Sequence, residues 1–414
     1  MNKLESIEFF EKFSYGMTLF SESADFSVGT TPSEIVYTED KLKLIHYIPT
    51  VKKTHAVPIL VVYALVNRYY ILDLQPDKSM MKNLLDEGFD VYVIDWGYPS
   101  GIGKYLTIDD HVNGYINNAV DKIRERTGVD KITLLGVCQG GTFSIMYAAL
   151  HPEKVKNLIT LVAPVNFDTD KGLLHVWARK LDVDKIVDYY GIVPGDVLNS
   201  GFLLADPFRT MIDKYVDLIE RIEIKPGDEE SQRKNEEMIR NFLRMEKWIF
   251  DSPDQPGETL RQFVKDCYQN NLLIKNEMIL NGQKINLKNI TMPLLNVMAE
   301  FDHLVPNEAS KPLNIAVASL DKQTLVFRTG HIGIFVGSKS QKEVCPKIAE
   351  WLRPRSVLDE AIKPKFVSDE AIKPKFVSDE AIKPKFVSDE VKTEKPSPAK
   401  PREQRRTTTQ GRAQ

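Results

Sequence analysis

Gly136-Val137-Cys138-Gln139-Gly140-Gly141 sets one cysteine among residues with small or absent side chains. An apolar run of strand type, 131–135, leads into it, and a segment of helical character, 141–150, leads out. A nucleophile on so sharp a strand-to-helix turn sits in a strained backbone conformation, and the helix after it packs tightly on the sheet. Gly136, Gly140 and Gly141 meet both demands. The Cys138 sulfur then lies at the positive end of the following helix, placed to attack an acyl carbonyl and carry the acyl group as a thioester.

Such a turn is the nucleophile elbow of the α/β-hydrolase fold with cysteine in place of serine, and it calls for an acid and then a histidine further along the chain. Asp302, in Ala299-Glu300-Phe301-Asp302-His303-Leu304-Val305-Pro306, and His331, in Thr329-Gly330-His331-Ile332-Gly333, each follow a strand-like run in that order. His331 would take the Cys138 proton while Asp302 fixes its tautomer. His303 is a rival base, but neighbours on an extended segment project to opposite sides, which favours His331. The oxyanion requires two backbone N–H groups: Gln139 supplies the first, and the loop 65–68 supplies the second, assigned to Val66. His46, His55, His111, His151 and His175 have no motif around them, and Cys267 and Cys345 read as ordinary buried thiols.

These groups must be brought together at the carboxyl ends of parallel strands. Strand runs at 58–65, 90–95, 131–135, 158–162, 293–299 and 324–328 alternate with helical segments at 79–88, 108–127, 141–150 and 342–352, which predicts an α/β domain with a mostly parallel sheet. Between 166 and 285 the alternation stops and the chain becomes helical, charged and aromatic, with Trp177, Tyr189, Tyr190, Tyr215, Trp248 and Tyr268. The expected organisation is an α/β-hydrolase core at 1–165 and 286–354, a helical cap inserted at 166–285, and a tail at 355–414. The cap would keep water from the site, with each of its aromatics read as core rather than as lining.

The tail repeats Ala-Ile-Lys-Pro-Lys-Phe-Val-Ser-Asp-Glu three times, from Ala361, Ala371 and Ala381, and ends in a stretch with seven Lys/Arg against two Glu. Ten residues are too few to bury a face, so this segment reads as disordered rather than as a solenoid. A formal charge of −3 offers no overall basic field, which argues against a dedicated nucleic-acid binder. Three scattered cysteines give no disulfide framework and no zinc spacing. The longest apolar run, 56–66, includes Pro58 and falls short of the roughly 20 residues that span a bilayer. The start, Met1-Asn2-Lys3-Leu4-Glu5, is not that of a secretory signal, so a cytoplasmic location is expected.

Beside the elbow, the stretches Asn67-Arg68-Tyr69-Tyr70-Ile71-Leu72-Asp73-Leu74, Asp95-Trp96-Gly97-Tyr98-Pro99 and Phe250-Asp251-Ser252-Pro253-Asp254-Gln255 join Asp302-His303 and Gly330-His331. Together they resemble the polyhydroxyalkanoate synthases, specifically the catalytic subunit of the two-component class III type. The resemblance implies a triad of Cys138, His331 and Asp302, with (R)-3-hydroxyacyl-CoA as substrate, short-chain 3-hydroxybutyryl-CoA first among them. It also implies a polyester product with release of CoA, no cofactor or metal, and a cap that opens for substrate and chain. A second subunit, a homodimer or hetero-oligomer, and association with the surface of cytoplasmic polyester granules follow from the same resemblance. The repeated tail departs from the usual catalytic subunit, although extended C-termini resemble those of some archaeal members. The alternative reading is a cysteine-dependent α/β-hydrolase, a thioesterase or esterase, that releases free acid instead of polymer.

Overall fold

Aliphatic and β-branched runs fold as central strands here because helices cover both faces of the sheet. The computed structural model describes residues 3–22, 27–53, 55–205, 212–225 and 227–357. The three decapeptides and the basic end, expected as a disordered tail, lie outside the described residues. The main sheet contains β1 (Ser33–Glu39), β2 (Leu42–Tyr47), β3 (Ile59–Val62), β4 (Val91–Asp95), β5 (Ile132–Val137), β6 (Val155–Leu161), β7 (Leu294–Ala299) and β8 (Lys322–Phe327). Their spatial order is β1-β2-β4-β3-β5-β6-β7-β8. The first two ladders are antiparallel and the other five parallel, giving the mostly parallel sheet that the alternation predicts.

Alternate residues of each strand serve opposite cores. Leu60, Val62 and Leu134 join one buried cluster with Phe143 and Met146, whereas Ile59, Val61 and Leu135 join the other with Leu84 and Ile348. The longer helices, in chain order, are α1 (Lys3–Glu22), α2 (Met80–Asp86), α3 (Asn117–Thr127), α4 (Gln139–Leu150), α5 (Leu173–Lys180), α6 (Val183–Tyr190), α7 (Gly195–Ala205), α8 (Lys214–Glu220), α9 (Glu229–Phe250), α10 (Gly257–Gln262) and α11 (Cys345–Leu352). Each start and stop has a local cause. Ser79 caps α2 by accepting from the Lys82 N–H, and Gly128, at φ 70°, ends α3 in the left-handed conformation. α4 is buried on every side from Gly140 to Ala149, so it fits only small residues where it meets the sheet.

A Cβ built on Gly140 would strike the carbonyl oxygens of Val62 and Tyr63, and one on Gly136 would lie 2.5 Å from both the Gly141 Cα and the Ser144 hydroxyl. Backbone cannot give way as a flexible side chain does. Gly140→Ala is expected to lower stability by about 3 kcal/mol or more. The check is its thermal unfolding midpoint against Gly114→Ala, where the added Cβ meets open space.

The structure departs from the sequence reading in several places. The edge strand β1, its neighbour β2 and the N-terminal helix α1 were not expected, and the helix read at 108–127 opens with a wide π-type turn at Asp110–Ile116 before α3. Within the expected insert, Phe263, Cys267, Leu273, Met278, Leu280 and Ile285 are buried in the cluster that also holds Leu60 and Leu134, so by packing this stretch belongs with the sheet. At the other boundary, Ser356 is buried and its carbonyl accepts from the Ala56 N–H at 3.1 Å. The folded body therefore runs beyond 354.

Candidate active site

β5 ends at Val137 and α4 begins at Gln139, leaving Cys138 alone on the turn with φ 52° and ψ −124°. For a residue with a side chain that left-handed φ is strained, and it persists only where the surroundings dictate it. Here they do. The Cys138 N–H donates to the Leu161 carbonyl at 3.0 Å, while its own carbonyl accepts from the Gly141 and Thr142 N–H groups at 2.9 and 3.2 Å. Val162, just past the neighbouring strand β6, is also forced to a positive φ, 46°.

Asp302 and His331 are joined by the register of β7 and β8. Ala299 pairs with Phe327, and the ladder continues past both strands through Glu300 N–H to Phe327 O at 2.8 Å and Phe301 N–H to Thr329 O at 3.0 Å. The next residues out, Asp302 and His331, meet with Oδ2 2.7 Å from Nδ1. The other carboxylate oxygen accepts the Leu304 and Val305 N–H groups at 3.0 and 2.8 Å, which fixes the side chain. Both residues are buried, at 8% and 5% exposure. His303, the rival base, is exposed.

Burial alone would push the His331 imidazole down, because it disfavours a charged ring. The charges of Asp302 and Cys138, and its hydrogen bonds to both, outweigh this and raise it to about 10. His331 therefore holds its proton at neutral pH between the carboxylate and the sulfur. The structure thus brings Cys138, His331 and Asp302 together in the order the sequence gives them.

The loop after β3 lies beside the elbow. Its Leu65 N–H donates to the Gln139 side-chain carbonyl at 3.1 Å and its Asn67 N–H to the Ser252 hydroxyl at 3.4 Å. Val66 lies between these two engaged amides. The Gln139 N–H opens the first turn of α4, where no intrahelical acceptor exists.

Comparisons with known proteins agree with this fold. A family model described as the α/β hydrolase fold matches residues 57–338, and one described as the poly-beta-hydroxybutyrate polymerase (PhaC) N-terminus matches residues 16–84. The chain is 48% identical to the poly(3-hydroxyalkanoate) polymerase subunit PhaC of Allochromatium vinosum, over 85% of this chain and 96% of the relative. The chain belongs to the poly(3-hydroxyalkanoate) polymerase family. Its similarity to the PhaC subunit of Synechocystis is 47%, over 86% of this chain and 93% of the relative. The archaeal PhaC subunit of Haloferax mediterranei is also 47% identical, over 80% of this chain and 66% of the relative.

The sequence reading singled out Cys138, Asp302 and His331, which the structure places together, and did not single out the tyrosines near the sulfur. Burial, and then the Cys138 charge, hold the Tyr63 and Tyr268 hydroxyls well above the usual tyrosine range, so both stay protonated. Tyr63 was hidden inside an ordinary strand run. The aromatics of 166–285 need a correction: Trp177, Tyr190 and Tyr215 are exposed, and Tyr189 is 81% exposed, so they form neither core nor lining. Only Trp248 and Tyr268 of that set are turned inward. Cys267 and Cys345 are buried, and burial raises both thiols, that of Cys345 to about 12. Among the described residues no cluster of three or more His, Cys, Asp and Glu could hold a metal ion, and no helix is long and apolar enough to cross a membrane.

Proposed function

We propose that this chain polymerises (R)-3-hydroxyacyl-CoA, 3-hydroxybutyryl-CoA first among them, into polyester through a covalent thioester on Cys138. The observation that carries this reading is His331 lying between the Asp302 carboxylate and the Cys138 sulfur at the elbow. The sulfur attacks the substrate's carbonyl carbon, the carbon–sulfur bond to CoA breaks, and CoA leaves as a thiol with the proton that His331 held. One thioester has replaced another, so the acyl group keeps its activation. The 3-hydroxyl of a monomer or chain end then attacks that carbonyl, gives its proton to His331, and forms an ester as the Cys138 sulfur departs. The backbone N–H groups of Gln139 and Val66 stabilise the oxyanion in both steps. No cofactor enters the balance.

Water would divert the acyl enzyme to free acid, so we assign the helical region from α5 to α9 the role of a cap that excludes it and opens for substrate and chain. By kinship with the PhaC subunits, the chain works on the surface of a cytoplasmic polyester granule, as a homodimer or with a second subunit. The test is CoA release from (R)-3-hydroxybutyryl-CoA by the purified chain, with the product analysed as polymer or acid. Polymer supports the reading, and stoichiometric 3-hydroxybutyrate overturns it in favour of a cysteine hydrolase.

Removal of residues 358–414 is expected to leave the rate of CoA release within about two-fold, since Ser356 already closes the folded body. A cut before Ser356 is expected to destabilise the chain, because it strips the acceptor from the Ala56 N–H. Comparing the two truncations by activity and melting curve checks both statements.

A further inference from the structure

The loop that carries Val66 is held by the far end of a helix more than one hundred and seventy positions away in sequence. Asn67 adopts φ 58° and donates both amide hydrogens, to the carbonyls of Trp248 at 3.1 Å and Ile249 at 3.2 Å. Those carbonyls belong to the last turn of α9; the Trp248 carbonyl also accepts the Asp251 N–H at 3.2 Å, and the Ile249 carbonyl the Asn199 side-chain amide at 2.8 Å. The segment after α9 completes the clamp. Ser252 accepts from the Asn67 N–H, Gln255 donates to the Leu65 carbonyl at 2.8 Å, and Trp248 Nε1 donates to the Arg68 carbonyl at 2.8 Å. Asp251 accepts the hydroxyls of Tyr70 and Tyr98 at 2.8 and 2.6 Å.

Leu65, Asn67 and Arg68 are thus each tied to 248–255, and the peptide between them, Val66, takes the orientation its neighbours impose. A φ of 58° is open to asparagine at small cost, but it is not the state an untethered loop prefers. We propose that Asn67 is a positioning residue that makes the oxyanion-binding amide of Val66 conditional on the docking of the α9 C-terminus. When α9 is seated, both amide hydrogens of Asn67 are satisfied and the Val66 N–H is aimed at the elbow. When α9 lifts, the tether is lost, the loop relaxes, and transition-state stabilisation is withdrawn. The enzyme is then least able to transfer its acyl group when the site is open to water. This inference rests on the assignment of Val66 to the oxyanion hole and does not depend on whether the product is polymer.

The test uses two reactions of Cys138 that differ in their need for an oxyanion site. Acylation by p-nitrophenyl butyrate passes through a tetrahedral oxyanion, while alkylation by iodoacetamide does not. Asn67→Ala and Asn67→Gly are measured in the full chain. Glycine accepts the positive φ but cannot reach the α9 carbonyls, so it separates tether from backbone preference. Both variants are expected to lose about 10–100-fold in the acylation rate, with KM for the ester and the alkylation rate each changed less than about two-fold. Wild-type acylation by Asn67→Gly overturns the proposal, as does a parallel fall in alkylation, which would report a general loss of site structure. Wild-type hydrolysis of 3-hydroxybutyryl-CoA to acid would instead overturn the polymerase reading and leave this comparison intact.

Discussion

Cys138→Ala is expected to abolish both CoA release and polymer formation from (R)-3-hydroxybutyryl-CoA, a loss of about 10⁴-fold or more, because the proposed mechanism gives the acyl chain no other carrier. The fold survives, since the elbow is fixed by the Gly136, Gly140 and Gly141 contacts and by hydrogen bonds from the Cys138 backbone rather than by its sulfur. The melting curve is therefore expected to change little while activity vanishes. Cys138→Ser discriminates further. A serine ester in place of a thioester discards most of the activation before the next hydroxyl arrives, so this variant is expected to become acylated slowly and to stall without chain growth. Mass analysis of the intact protein would show the trapped acyl group, and processive polymer from the serine variant would refute the role given to the thioester.

The second large effect is that of Asp302→Asn, expected to lower the rate of CoA release by about 10³–10⁴-fold at neutral pH. The asparagine oxygen can still accept the Leu304 and Val305 N–H groups that hold the native carboxylate. Its amide then faces His331 Nδ1 as a donor and selects the tautomer with hydrogen on the wrong nitrogen. The pH dependence has a definite sign. Burial lowers the His331 ring, and the Asp302 and Cys138 charges together raise it to about 10. Without the carboxylate, burial regains weight and the protonated ring is lost at lower pH, so the alkaline limb of the rate profile moves to lower pH. Stability follows the same linkage. A histidine raised from its ordinary value of 6.5 to about 10 contributes stability that is complete below 6.5 and declines as pH rises toward 10. The fall in melting temperature across that window should be smaller in Asp302→Asn, and an unchanged profile in the variant would contradict the assignment of Asp302 as the partner of His331.

The three candidate residues were legible because each is announced by local pattern. Cys138 is bracketed by the glycines a tight elbow requires, Asp302 follows the buried strand β7, and His331 follows the short apolar run Thr324–Phe327 of the edge strand β8. The central parallel strands were legible because burial on both faces writes them as unbroken aliphatic runs. β1 escaped because it lies at the sheet edge and is mostly exposed, so its residues show no buried run. The clamp on Asn67 was out of reach for a different reason. Side-chain to main-chain hydrogen bonds between loops distant in sequence leave no periodic trace, and the motifs at 67–74 and 250–255 could be seen separately without showing that they touch. The exposed aromatics of α5 and α6 misled through composition, which reports how many rings a segment holds and nothing of where they turn.

The ladder between β7 and β8 sets the separation of acid and base by strand register, whatever length of chain joins them. The turn around Leu320, fully exposed ahead of β8, can therefore lengthen or shorten without parting Asp302 from His331. A single residue lost within β8 itself would be different in kind, because a one-residue slip turns every side chain to the opposite face of the sheet. Around this pair length can drift, and phase cannot.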